Sequence, residues 1–231
     1  MWVKICGIIR NEDAAAAVLA GVDAIGLNFF PGSKRYVSLE RAVQLQAAIA
    51  VAARSQAALK PPEVIGVFVN ADIEAVLQTA RAVPLTGVQF HGDESAELIA
   101  DCMQQLPGVK CIRAFRVSVE RLSAVISEVD RLQSLLKLDA VLFDAFVAGE
   151  YGGTGHKLPS ALLSGWESPP RPPLVLAGGL TPENICEAVV AVRPWGVDTA
   201  SGVEVSPGIK DHRRMSDFVN GARSADAAVA H

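Results

Sequence analysis

Two residues of the chain could form an acid–base pair. Cys6 ends a short apolar segment before Gly7, and Asp144 directly follows the apolar residues 140–143. A free thiol is only slightly ionised at neutral pH unless a nearby cation lowers its pKa, and a carboxyl shielded from water can hold its proton and act as an acid. Such a pair suits an isomerase that needs no cofactor. From these residues alone, a packed thiol and a helix-capping aspartate are slightly favoured.

Two glycine-bearing segments could bind a phosphate. Gly178-Gly179 follows the apolar residues 174–177, and Ser201-Gly202 follows the next apolar segment. Glycine lets backbone N–H groups approach an anion, and neighbouring loops of this kind commonly form phosphate sites in α/β barrels. The alternative is two tight turns without a ligand. One pair would leave that alternative favoured, whereas two adjacent loops favour phosphate.

Arg35, His91 and Asp198 are further candidates. A planar guanidinium suits bidentate binding of a carboxylate, although a solvated loop arginine is commoner. His91 and Asp198 each end an apolar segment and could contact a substrate. A lone histidine there is more often only hydrogen-bonded, and His156 and His212 lack the spacing of metal ligands. We therefore predict neither a metal nor a cofactor.

These residues stand at the ends of a repeated strand-and-helix pattern. Eight apolar segments of four to six residues alternate with about eight helical segments, one of them short and near Ser160. Continuous apolar strands are typical of a parallel sheet covered on its outer face. Eight units predict a (β/α)8 TIM barrel, an α/β fold, as a single domain over residues 1–223, with a frayed tail at 224–231. A doubly wound open sheet is the alternative, because periodicity does not show whether the first strand pairs with the eighth.

Helix starts are indicated by polar residues that commonly cap helices. Asn11 or Asp13 is expected to cap the first helix, Ser38 the second and Ser95 the fourth.

Composition narrows the class of protein. The 231 residues are 50% hydrophobic and carry a net charge of −4, with no basic stripe of the kind that nucleic acid requires. No apolar run has the length of a membrane span, and no signal peptide is evident. Four cysteines lack metal-type spacing, which predicts reduced thiols in a cytoplasmic protein.

Six short motifs occur in an order that resembles a known family, the phosphoribosylanthranilate isomerases of tryptophan biosynthesis. The resemblance runs from Val3 to about Asp211. The motifs are Lys4-Ile5-Cys6-Gly7, Ser33-Lys34-Arg35-Tyr36-Val37, Gln89-Phe90-His91-Gly92-Asp93-Glu94, Gly152-Gly153-Thr154-Gly155, Gly178-Gly179-Leu180-Thr181-Pro182-Glu183-Asn184 and Ser201-Gly202-Val203-Glu204.

The resemblance implies a barrel that performs an Amadori rearrangement, turning an aldosamine phosphate into a ketosamine phosphate. It implies that Cys6 is the general base, Asp144 the general acid and Arg35 the ligand of the anthranilate carboxylate. The partner is then a small phosphorylated molecule. The remaining implied substrate contacts are Gly178, Gly179, Ser201 and Gly202 at the phosphate, with His91 and Asp198 nearby.

The chain departs from the family pattern in two places. Lys157-Leu158-Pro159 stands where the family usually has Phe-Asp-Trp, and Ala200 where it commonly has serine. The altered segment around Lys157 keeps a non-catalytic phosphosugar-binding barrel open as an alternative. A metal-dependent phosphosugar epimerase is the other alternative, although it would need more histidines and carboxylates at the strand ends than the chain has. The sequence decides neither the oligomeric state, for which a monomer is the working expectation, nor whether the related aminoaldose of histidine biosynthesis is accepted.

Overall fold

The computed structural model describes residues 1–55, 60–144, 166 and 170–229. Eight parallel strands form a closed barrel in which β1 pairs with β8, with Lys4 opposite Asp198. This pairing confirms the predicted (β/α)8 barrel and excludes the open sheet. The strands are β1 Trp2–Cys6, β2 Ala24–Asn28, β3 Glu63–Phe68, β4 Gly87–Phe90, β5 Lys110–Arg116, β6 Ala140–Asp144, β7 Leu174–Ala177 and β8 Gly196–Thr199.

Seven α-helices in the described part of the chain surround the barrel. A short 3₁₀ turn, Ser201–Val203, and an antiparallel hairpin of β9, Glu204–Ser206, and β10, Ile209–Lys210, follow the last barrel strand. The predicted short helix near Ser160 lies outside the described residues. The helices are α1 Asn11–Leu19, α2 Leu39–Ser55, α3 Ile73–Ala82, α4 Ala96–Gln104, α5 Leu122–Leu135, α6 Ile185–Val192 and α7 His212–Val229. None of these helices combines the length and apolar composition that a bilayer crossing requires.

The strand pattern divides the core into two layers. Successive side chains of a strand point to opposite faces, so Val3 and Ile5 of β1 pack outward beneath the helices and are fully buried. Lys4 and Cys6 alternate with them and face the barrel interior. The apolar part of that interior is formed by Ala24, Ile65, Ile112, Ala114, Ala140, Leu142, Val175 and Ala177.

The predicted caps are confirmed at two helices and wrong at one. The hydroxyls of Ser38 and Ser95 accept backbone N–H bonds at the starts of α2 and α4. The first helix begins at Asn11, after Arg10, without a side-chain cap. Asp13 is fully buried and instead accepts hydrogen bonds from Lys210 N at 3.2 Å and His212 Nε2 at 2.9 Å. Its carboxylate therefore joins α1 to the C-terminal part of the chain.

The C-terminal helix extends further than the sequence predicts. Residues 224–229, expected to be a frayed tail, form the last turns of α7. Ala225 is only 6% exposed and packs in the core, and Asp226 pairs with the amino group of Met1 at 2.6 Å. The prediction failed because these contacts are with residues far away in sequence.

Candidate active site

Cys6 lies at the mouth of the barrel above Gly26. The two residues are register partners in neighbouring strands. A Cβ atom built on Gly26 would lie 2.7 Å from Cys6 Sγ and 3.1 Å from Lys4 Cε. The missing side chain at position 26 therefore makes room for the thiol and for the lysine beside it.

Lys4 and Asp198 form a buried ion pair next to this thiol. Lys4 Nζ lies 2.9 Å from Asp198 Oδ2. Burial lowers the pKa of Lys4, but attraction to Asp198 and Cys6 outweighs it, so the lysine stays charged. Burial raises the pKa of Asp198 against the pull of Lys4, and it likewise raises the pKa of Cys6, again opposed by Lys4.

A second buried network connects Cys6 to Arg35. Lys210 Nζ donates to Cys6 O at 2.7 Å, to Ala200 O at 2.8 Å and to Glu204 Oε1 at 2.9 Å. An ammonium has three N–H donors, and all three are engaged here. Glu204 in turn binds the arginine, so Lys210 ties the ends of β1 and β8 to the loop that follows β2.

Arg35 binds Glu204 through one edge of its guanidinium. Arg35 Nε lies 2.7 Å from Glu204 Oε1 and Nη2 lies 2.6 Å from Oε2. Hydrogen bonding to Glu204 raises the pKa of Arg35. The opposite edge, formed by Nη1 and the second Nη2 hydrogen, has no partner among the described residues. A guanidinium held in this way can still bind another carboxylate through two parallel bonds.

His91 and Asp144 face each other on the other side of the mouth. His91 Nε2 lies 3.6 Å from Asp144 Oδ2, which is too far for a hydrogen bond. Burial lowers the pKa of His91 to about 4, so the ring is neutral at neutral pH. Burial, with a contribution from Asp198, raises the pKa of Asp144. Both side chains are partly buried, with exposures of 20% for His91 and 31% for Asp144, and their surroundings disfavour the charged forms.

Arg113 fixes the loop that carries His91. Its side chain is 8% exposed, and its guanidinium lies 2.9 Å from Glu94 Oε2. The guanidinium also donates to Phe90 O at 3.1 Å and to Gly92 O at 3.0 Å. The ring of His91 is contacted from below by Gln89, whose Nε2 lies 3.2 Å from Nδ1. These bonds hold the histidine in place without using its Nε2 atom.

The two predicted glycine loops lie next to each other. Gly178 and Gly179 both adopt positive φ angles, 91° and 66°, a region that favours glycine. A Cβ on Gly202 would collide with Leu180 O, the same oxygen that accepts a 2.7 Å hydrogen bond from Thr199 Oγ1. Backbone contact between the loops therefore requires glycine at position 202.

The structure puts the predicted residues at one end of the barrel and adds three that were missed: Lys4, Glu204 and Lys210. Lys4 stands two residues before Cys6 in a strand, so alternation could have indicated it. Glu204 belongs to one of the motifs but had no role, and Lys210 carried no sequence signal.

Among described residues, no cluster of three or more His, Cys, Asp or Glu side chains could hold a metal ion. The motif at residues 152–155 and the departure at 157–159 lie outside the described part.

Comparisons with known proteins show the family to which the chain belongs. Residues 3–221 match the family of N-(5′-phosphoribosyl)anthranilate isomerases. The Ralstonia pickettii protein of that name is 41% identical, with 98% of this chain and 94% of the relative covered. The Myxococcus xanthus one is 43% identical, with 96% of each covered.

Solved structures give the same result. The phosphoribosyl anthranilate isomerase of Thermotoga maritima has a TM-score of 0.78 at 37% identity, covering 97% of this chain and 99% of that one. Another, in complex with reduced 1-(o-carboxyphenylamino)-1-deoxyribulose 5-phosphate, has a TM-score of 0.76 at 35% identity and the same coverage. The chain belongs to the N-(5′-phosphoribosyl)anthranilate isomerase family.

Proposed function

We propose that this protein catalyses the Amadori rearrangement of N-(5-phosphoribosyl)anthranilate to 1-(2-carboxyphenylamino)-1-deoxyribulose 5-phosphate, a step of tryptophan biosynthesis. The observation that carries the proposal is a thiol and a protonatable carboxyl, Cys6 and Asp144, at the mouth of one barrel. Membership of the isomerase family supports the same reaction.

Asp144 would act first, as the general acid. Its raised pKa favours the protonated form that the step requires. Proton transfer from the carboxyl to the ribose ring oxygen breaks the bond from that oxygen to C1′, and the anthranilate nitrogen supplies the electron pair. The product of this step is an open-chain Schiff base, with the aspartate left as a carboxylate.

Cys6 would act second, as the general base. Its thiolate removes the proton from C2′, and the electron pair moves into the C1′–C2′ bond to give an enolamine. Tautomerisation of the enolamine yields the ketone. Each group ends in the opposite protonation state, so exchange with solvent prepares the next turnover, and no cofactor is needed.

Substrate binding at both ends would hold C2′ between acid and base. The free edge of Arg35 suits the anthranilate carboxylate, and the paired loops at Gly178-Gly179 and Ser201-Gly202 suit the phosphate. His91 Nε2 and Asp198 Oδ1 are buried polar atoms without partners in the described structure. Because such atoms cost free energy when left unpaired, they are suited to polar groups of the substrate. Holding the reacting groups in place accounts for part of the rate.

The oligomeric state, the cellular location and the binding partner of the protein stay predictions. We predict a monomeric protein in the cytoplasm that acts on this small phosphorylated molecule. The Thermotoga maritima enzyme is described as dimeric, with monomers generated from it. Light scattering on the purified protein distinguishes the two states.

A fluorescence assay tests the proposed function. Loss of the fluorescence of N-(5-phosphoribosyl)anthranilate should follow addition of the purified protein and should persist in the presence of a chelator. Loss of activity with the chelator would instead support a metal-dependent epimerase-like enzyme. Binding of the product analogue without turnover would support the non-catalytic barrel. The doubly substituted Cys6→Ala/Asp144→Asn protein is the control for spontaneous substrate decay.

A further inference from the structure

The thiol of Cys6 needs a positive partner to act as a base, because burial opposes its ionisation. Reactive thiolates in proteins are stabilised by nearby cations. Four charged groups influence the ionisation of Cys6 or are influenced by it: Lys4 from its own strand, Asp198 from β8, Lys210 from β10 and Arg35 from the loop after β2. Three of these groups are cations. The hydrogen bonds that each cation makes show which of them can stabilise the thiolate.

Two of the cations are engaged elsewhere. Lys210 directs its three N–H donors at Cys6 O, Ala200 O and Glu204 Oε1. Arg35 is joined to Glu204 through two hydrogen bonds. Both therefore bind backbone or carboxylate oxygens and hold the loops together.

Lys4 is placed differently. It stands two residues before Cys6 on the inward face of β1, and its Cε and the thiol sulfur lie over the same glycine, Gly26. Its Nζ gives one hydrogen bond, to Asp198, and electrostatic attraction to Cys6 adds to the rise in the pKa of Lys4. The side chain is 1% exposed, so solvent ions screen its charge weakly.

On the basis of the proposed function, we propose that Lys4 is a positioning residue whose positive charge, placed beside the sulfur, favours the thiolate of Cys6. The S–H bond breaks with its electron pair remaining on sulfur, the proton leaves to solvent, and Lys4 keeps its own three protons. Asp198 also binds the ammonium of Lys4. Its negative charge lies near the thiol and opposes ionisation of Cys6. The Lys4–Asp198 pair thereby sets the pH at which the base becomes available.

Alkylation of Cys6 by iodoacetamide measures this directly, because only the thiolate reacts. Peptide mass analysis in a Cys186→Ser background separates Cys6 from the exposed Cys186. In Lys4→Met we expect the inflection of rate against pH to move upward by about one unit or more, so that the rate at neutral pH falls about tenfold. Lys60→Met, which removes the same charge from an exposed position, should leave the profile unchanged.

Asp198→Asn gives a second test with the opposite sign. Removing the nearby negative charge should move the inflection downward, and adding Lys4→Met to this variant should move it up again. Loss of packing alone would not produce shifts of opposite direction. Circular dichroism shows whether Lys4→Met folds. If it does not fold, the alkylation profile of Asp198→Asn is the deciding measurement, and an unchanged or raised inflection pH in that variant overturns the proposal. An unchanged inflection in folded Lys4→Met overturns it as well.

Alkylation needs neither substrate nor turnover, so the two proposals can fail separately. A Lys4-dependent thiolate in a protein without isomerase activity would contradict the proposed function alone. Isomerase activity with alkylation that is independent of Lys4 would contradict only the role of Lys4.

Discussion

The two sides of the barrel mouth prepare their groups in different ways. Around Cys6, the cations Lys4 and Lys210 are buried and engaged in short ion pairs with carboxylates. Around Asp144, the facing histidine is neutral and lies beyond hydrogen-bond distance. The thiol therefore lies beside cations held in ion pairs, whereas burial and the charge of Asp198 raise the pKa of the Asp144 carboxyl against the weaker attraction of Arg116 and Lys4.

This difference suits the opposite tasks of a base and an acid. A thiol has to lose its proton, so nearby cations that oppose the effect of burial make it useful. A carboxyl has to keep its proton, and burial without a strong partner achieves that. Environments that adjust pKa values separately are a general means by which an active site assigns acid and base.

Removal of either group should have the largest effect. We expect Cys6→Ala and Asp144→Asn each to lower kcat by about 10²- to 10⁴-fold. The affinity for reduced 1-(o-carboxyphenylamino)-1-deoxyribulose 5-phosphate should stay within about threefold, because neither group is needed to hold the ends of the ligand. Steady-state kinetics and calorimetric titration measure the two quantities. Near-normal turnover in either variant would show that the substituted residue is not the base or acid of the reaction. The contrast between the surroundings of Cys6 and Asp144 would then not explain catalysis.

Neutral His91 should make the acid side sensitive to pH. Its pKa in the folded protein is about 4, against 6.5 ordinarily, so between these values the unfolded chain binds more protons. The free energy of unfolding should therefore fall as pH drops through this window, by up to about 3 kcal/mol from His91. In His91→Asn that part of the decline should be missing.

Urea denaturation at a series of pH values tests this prediction. Comparing each protein with itself at neutral pH removes the constant packing cost of the substitution. Equal slopes for the two proteins between pH 6.5 and 4 would mean that His91 ionises normally in the fold.

The barrel could be predicted from the sequence because its signal is local and repeated. Eight apolar segments ending in polar residues give the strand count, and alternation within Lys4-Ile5-Cys6 gives the inward face. Closure, by contrast, depends on pairing across 194 positions between Lys4 and Asp198. Periodicity cannot contain that information.

The position of the candidate residues at one end of the barrel was predictable for a similar reason, and the position of their partners was not. Cys6, His91 and Asp144 stand at strand ends, and parallel strands end on one face of a barrel. Glu204 and Lys210 lie in a hairpin after the last strand, and nothing local shows that they meet Arg35, 169 positions from Glu204. Long-range ion pairs of this kind become visible only in three dimensions.

Glu204 should have the smallest effect of the residues considered, because it acts through Arg35. Glu204→Gln removes a charge-assisted bidentate partner, so Arg35 loses its fixed orientation and we expect KM to rise about tenfold, equivalent to about 1.4 kcal/mol of binding. Arg35→Ala should raise KM further. Glu128→Gln, which breaks a similar but exposed pair with Arg131, should leave KM unchanged.

A double-mutant cycle separates positioning from a direct contact. If Glu204 acts only by orienting Arg35, the Glu204→Gln/Arg35→Ala protein should have the KM of Arg35→Ala alone, since the two changes remove one shared interaction. Additive effects would mean that Glu204 contributes independently, for example by keeping Lys210 and the end of β1 in place. A lower KM in Glu204→Gln would show that its carboxylate competes with the substrate for Arg35. The hydrogen bonds among Arg35, Glu204 and Lys210 would then weaken substrate binding.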